Sequence, residues 1–144
     1  MPLVDKLIFL AAFAQMALSI AILVWMGLER VPRVNSGEIR MADIAVDRSA
    51  YPLRARLLSN SFDNQFQLPI LFFVGVLFCL QLTGADFISV ALAWLFVLLR
   101  IIHAAIHVTS NFVPRRFLAY TAGLAVLTLF WLWLAIRIIL APSI

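Results

Sequence analysis

The chain is an all-α integral membrane protein in its sequence pattern, a bundle of four transmembrane helices. Three observations predict this. Its 144 residues are 65% hydrophobic and only 12% charged, about half the charged fraction of an ordinary soluble domain. Four apolar stretches are each long enough to cross, or nearly cross, a hydrocarbon core about 30 Å thick. The basic residues are sorted to one side of those stretches, as they are in multi-pass membrane proteins.

The first span is Leu7 to Leu28, 22 residues without a formal charge. It is longer than the apolar region of a secretory signal, about 7–15 residues, and Trp25-Met26-Gly27-Leu28-Glu29-Arg30 is a poor cleavage site. Residues 29–65 form the longest polar stretch, too short for a separate core. Within it Val34-Asn35-Ser36-Gly37-Glu38 reads as a turn, and Ser49-Ala50-Tyr51-Pro52 as a helix start with proline in the first turn. The helix that begins near Pro52 is expected to enter the membrane around Gln67 and to span residues 66–83. Gly84-Ala85-Asp86 is a tight loop, so the next span, 87–107, is its antiparallel neighbour. Pro114 interrupts the segment before the fourth span, 117–140. The whole chain, residues 1–144, reads as one membrane domain.

Arg30, Arg33, Arg40, Arg48, Arg54, Arg56, Arg115 and Arg116 lie in the first and third connections, against Lys6 and Arg137 on the other side. The positive-inside rule therefore places loops 29–65 and 108–116 in the cytoplasm and both termini outside. The net charge of +4 is then mostly topology, which removes the argument for a nucleic-acid partner. The lone Cys79 excludes an intramolecular disulfide.

Arg100 is the residue that least belongs in a bilayer. It follows thirteen almost wholly apolar positions and lies roughly 10 Å along the helix from His107. A central Arg costs about 2.5–3.5 kcal/mol on insertion scales, so it is expected to face protein, water or an anion. His103, His107 and Asn111 follow at i+3, i+7 and i+11, placing one polar stripe within roughly 80° of arc. The two histidines have metal-chelating spacing, but no acidic partner or Cys accompanies them, and no metal is expected. Asn60, Asn64 and Gln67 make a facing stripe on the second helix, with Asp63 at its edge. Antiparallel packing would bring Gln67 and Arg100 to similar depth in a shared polar pocket. Interhelical hydrogen bonding by the amides alone is the other reading. Trp94, Phe96, Trp131 and Trp133 read as packing or interface residues.

Together these features resemble the MAPEG family, membrane-associated proteins of eicosanoid and glutathione metabolism. The resemblance covers nearly the whole chain. It rests on the four spans, the basic first loop, Asn64-Gln65-Phe66-Gln67-Leu68-Pro69 opening the second span, Arg100-Ile101-Ile102-His103-Ala104-Ala105-Ile106-His107 closing the third, and Arg116 before the fourth. Val34-Asn35-Ser36-Gly37-Glu38 and Ala93-Trp94-Leu95-Phe96-Val97 are most similar to a bacterial branch.

The resemblance implies a homotrimer in the bacterial inner membrane, with glutathione as co-substrate near the cytoplasmic face and a lipophilic small-molecule substrate entering from the lipid. By position, Asn64, Gln67, Arg100, His103 and His107 match ligand-binding residues, and Arg100 and Arg116 stabilise the anion and thiolate. Two departures stand out: Gln67 occupies a position where the family usually has Glu, and Asn60 one where active members carry Arg. The site keeps an anion-binding arm and lacks a cation-binding one. The implied function is a glutathione-dependent transferase or peroxidase. The alternative is a catalytically silent membrane subunit, bound to a lipid phosphate at Arg100 or to a hetero-partner in a larger assembly.

Overall fold

The computed structural model describes residues 1–141, and they form an all-helical chain. The helices are α1 (Leu3–Asn35), α2 (Leu53–Asp63), α3 (Leu68–Phe78), α4 (Phe87–Val108) and α5 (Val113–Leu140). Among the described residues, four helical stretches are long and apolar enough to cross a membrane: α1, the run Leu53–Thr83 containing α2 and α3, α4 and α5.

The helices extend past the apolar runs that announce them. α1 continues to Asn35, where Gly37 at φ 76 reverses the chain; a positive φ costs glycine little. Pro52 caps α2 rather than sitting inside it. Pro114 does not interrupt the approach to the last span. It lies in the first turn of α5, where its missing N–H costs no helical bond.

The second span departs most from a simple helix. A 3-10 turn at Asn64–Phe66 separates α2 from α3, Gln67 takes φ −103 and ψ −103, and Pro69 opens α3. Pro69 has no N–H to continue the ladder, so the main chain at this depth needs other partners. The span ends in a π turn, Cys79–Thr83, and Gly84 at φ 68.

The two ends of the bundle are fastened differently. At the 84–86 end, Ala85 donates its N–H to Asp5 Oδ1 at 2.8 Å, tying the loop to α1. Asp86 caps α4 by accepting from Ser89 N–H at 2.7 Å. Arg137 donates to the carbonyls of Gly84 and Thr83 at 2.7 and 3.0 Å. It thereby satisfies groups that a helix end leaves without partners. At the opposite, arginine-rich end, Ile39, Tyr51 and Ala55 form a small separate cluster under the 36–52 connection.

The main core lies where the four spans meet. Phe72 stacks on Phe96 with centroids 4.7 Å apart and meets Phe130 at 6.3 Å. Apolar residues are also exposed along every long helix, as lipid contact requires. In lipid, close packing and internal polar contacts must hold the helices together, because hydrocarbon is as apolar as the core. Gly75 shows how close the packing is: a Cβ there would lie 2.8 Å from Phe130 Cε1. Two expected anchor residues also bond: Trp94 Nε1 to the Leu7 carbonyl at 3.1 Å and Trp133 Nε1 to Asp86 Oδ2 at 3.0 Å.

Candidate functional site

The arginine-rich end of the bundle contains a partly open cleft of about 390 Å³ between α2, α4 and α5. Its floor and walls include Asn60, Asn64 and Gln67 from the second span, His103 and His107 from α4, and Arg116 and Tyr120 from α5. Val113 and Phe117 supply an apolar side. The helical repeat explains the convergence. Asn60 and Asn64 are one turn apart, as are His103 and His107, and Arg116 and Tyr120.

The groups are held in different ways. Asn64 Nδ2 donates to the Asn60 carbonyl at 2.9 Å. His103 and His107 stand with ring centroids 5.7 Å apart, and Tyr120 lies 5.7 Å from His103 on the other side. Both histidines are 3% exposed, and each has an Nδ1 without a hydrogen-bond partner in the described structure. Arg116 Nη1 donates to Asn111 Oδ1.

Arg100 faces protein, one of its expected surroundings, but does not share the cleft with Gln67. Its residue surface is 1% exposed. Its Nη2 donates to the main-chain carbonyl of Asn64 at 3.0 Å. The reason lies in the second span: the interrupted ladder between α2 and α3 presents a carbonyl, and the guanidinium one turn before His103 reaches it. Nε and Nη1 have no partner in the described structure.

Asn111 also leaves the expected stripe. It lies beyond α4 with φ 46, where the helical register has ended. Asp63 turns to Arg48 at 2.6 Å and does not line the cleft. The neighbouring Arg54 pairs with Glu29 at 3.2 Å.

Between α1 and the second span lies a polar chain that the sequence pattern did not single out. Gln15 Nε2 from α1 donates to Gln65 Oε1 at 2.9 Å, and Gln65 Nε2 donates to the Ser61 carbonyl at 3.1 Å. Gln15, Ser61 and Gln65 are all buried. The available signal was Gln15 itself, an amide in an apolar span that carries no formal charge. Tyr120 was also missed, although its spacing of four from Arg116 puts both on one face.

The cleft can donate hydrogen bonds to a polar anion. Its lining includes a guanidinium, two imidazoles, amides and a phenol, and no carboxylate. Among the described residues, no group of three His, Cys, Asp or Glu is placed to hold a metal ion.

No curated protein and no solved structure matched the chain. The family model described as "MAPEG family" matches residues 8–136, nearly the entire length, and includes every residue of the cleft. The chain is an integral, multi-pass membrane protein and belongs to the MAPEG family.

Proposed function

We propose that the protein is a glutathione-dependent transferase or peroxidase acting on a lipophilic substrate at the cytoplasmic half of the bacterial inner membrane, and that it works as a homotrimer. The family includes glutathione transferases and peroxidases as well as non-catalytic members. The observation that carries the reading is the carboxylate-free cleft lined by Asn60, Asn64, Gln67, His103, His107, Arg116 and Tyr120.

Glutathione is polyanionic when its thiol is ionised. Arg116 is the cleft's exposed-side cation, and a neighbouring guanidinium favours thiolate over thiol. Asn64, Gln67, His103 and His107 supply binding contacts. Arg100 adds positive potential from below while holding the carbonyl of Asn64. Phe117 and Val113 offer an apolar approach for the second substrate. In transfer, the sulfur electron pair forms the new C–S bond as the leaving group departs with its electrons. In peroxide reduction, the sulfur takes the distal oxygen, the O–O bond breaks to release an alcohol, and a second glutathione yields disulfide and water.

Gln67 and Asn60 favour one competing reading, a non-catalytic subunit of a larger membrane assembly. Neither side chain supplies the charge found at the corresponding position of active members. Thermal unfolding of detergent-purified protein separates the two. Glutathione at a hundred times its dissociation constant is expected to add about 2.7 kcal/mol of stability. The absence of any shift at tens of millimolar, or copurification of a stoichiometric partner that covers the cleft, overturns the enzymatic reading.

A further inference from the structure

A second cavity, also about 390 Å³, lies at the end of α1 under the 36–52 connection. Met26, Gly27, Val31, Ile44 and Tyr51 line it together with Arg30, and its surface is almost wholly apolar. It shares no lining residue with the polar cleft.

Arg30 is chemically distinct from its neighbours. Its guanidinium lies over the Tyr51 ring, 4.4 Å from the centroid, and Nη1 approaches Met26 Sδ at 3.8 Å. The nearby acids are already engaged: Glu29 by Arg33 and Arg54, and Glu38 by Arg33. Among the described residues no carboxylate pairs with Arg30. A cation with no ionic partner thus stands at an apolar cavity.

Depth gives the cavity its meaning. The uncharged stretch of α1 ends at Leu28, so Met26 and Gly27 belong to its last turn and Arg30 stands at headgroup level. Exposed Val24, Leu28 and Val31 continue the apolar surface along the same helix. Gly27 opens the floor, since a Cβ added there would meet no heavy atom within 4 Å. A glycine inside a helix sacrifices stability, and no protein packing at Gly27 demands it.

We propose that this cavity binds an anionic phospholipid, one acyl chain lying over Gly27 and the phosphate meeting the guanidinium of Arg30. Charge complementarity selects the headgroup, and the apolar lining selects the chain. The site is independent of glutathione binding.

Native mass spectrometry of the full chain released from nanodiscs tests this with phosphatidylglycerol and phosphatidylcholine of identical acyl chains. Phosphatidylglycerol is expected to remain bound at least about tenfold more tightly, and R30Q is expected to erase that preference. G27L fills the cavity without removing charge, and should reduce retention of both lipids about tenfold with helicity unchanged. Equal retention of the two lipids by the unmodified chain overturns the proposal, as does undiminished phosphatidylglycerol binding to G27L. Displacement of the lipid by millimolar inorganic phosphate would show a simple anion site and also overturn it. A changed subunit number in G27L would instead identify a second copy as the occupant.

Discussion

Arg100 Nη2 donates to the main-chain carbonyl of Asn64 at 3.0 Å, joining the middle of α4 to the interruption in the second span. The residue therefore has a structural task apart from any ligand. A hydrogen bond to a charged group contributes about 1.5–3 kcal/mol. Arg100→Leu is expected to lower the stability of the ligand-free protein by about 2 kcal/mol, because the Asn64 carbonyl loses its donor. Arg100→Lys keeps one cationic donor and the positive potential, and should remain within about 1 kcal/mol of the parent with glutathione binding changed by less than about threefold. Thermal unfolding with and without glutathione measures both quantities. Equal ligand-free losses in the two variants would show that the carbonyl contact contributes little.

Gln67 gives a prediction of opposite sign. It lines the cleft and is exposed, so a new carboxylate there would not be sealed in the protein. Gln67→Glu restores a partner for the glutathione ammonium while adding a negative charge near its carboxylates. Under the proposed function, the variant should preserve or strengthen glutathione-induced stabilisation. A loss of more than about tenfold in affinity would mean that the ligand's anionic groups, rather than its ammonium, lie nearest this position.

The sequence carried the bundle well because lipid imposes few choices: long uncharged runs must be helices, and arginine placement groups their ends. It also carried most of the cleft, since Asn60, Asn64 and Gln67, and His103 and His107, repeat at helical spacing, while Arg116 was implied by the family resemblance. The position of Arg100 was harder to read. Its partner is a carbonyl presented where the ladder breaks before Pro69, and a regular helix drawn through Asn64 and Gln67 hides it. Gln15 was obscured for another reason: its span has no charge, and an amide's role depends on which neighbour it meets. Tyr120 was legible from Arg116 by spacing, but an aromatic in an apolar helix reads first as packing.

The Gln15–Gln65 hydrogen bond is buried between α1 and the second span. Truncating either amide leaves polar atoms without a partner, whereas replacing both removes the need. Gln15→Met and Gln65→Met should each destabilise the protein by about 1–2 kcal/mol. The double variant should lose less than their sum, with a coupling of about 0.6–1.7 kcal/mol. A double-mutant cycle from detergent unfolding checks the value; strict additivity would mean that the pair is not coupled.

Gly75 marks a close approach of α3 to α5. An added Cβ would lie 2.8 Å from Phe130 Cε1 and 3.3 Å from Trp131 Cε2. Phe130 is 2% exposed and packs on Phe72, so its ring has little room to retreat. Gly75→Ala should cost about 1–3 kcal/mol through overpacking, outweighing the alanine's better helix propensity of about 1 kcal/mol. Gly75→Ala with Phe130→Leu should recover part of the loss. Thermal midpoints of the three proteins decide it, and a stabilised Gly75→Ala single variant would refute the packing argument.

Asp86 joins the start of α4 to the end of α5 and makes acid stability testable. Burial tends to raise its pKa, but hydrogen bonds from Ser89 and Trp133 and the charge of Arg137 outweigh that effect and hold the carboxyl below its ordinary value. A depressed carboxylate stabilises the fold fully above its unfolded pKa of about 3.9, and that contribution disappears as pH falls through the lower folded value. Asp86→Asn retains an N-capping side chain but cannot titrate. The parent's thermal midpoint should therefore exceed the variant's at pH 7, and the gap should close below about pH 4. The Trp133 indole, which donates to Asp86 Oδ2 at 3.0 Å, offers a local fluorescence reporter of the same transition. A gap that stays constant from pH 7 to acid would assign the difference to side-chain geometry instead of charge.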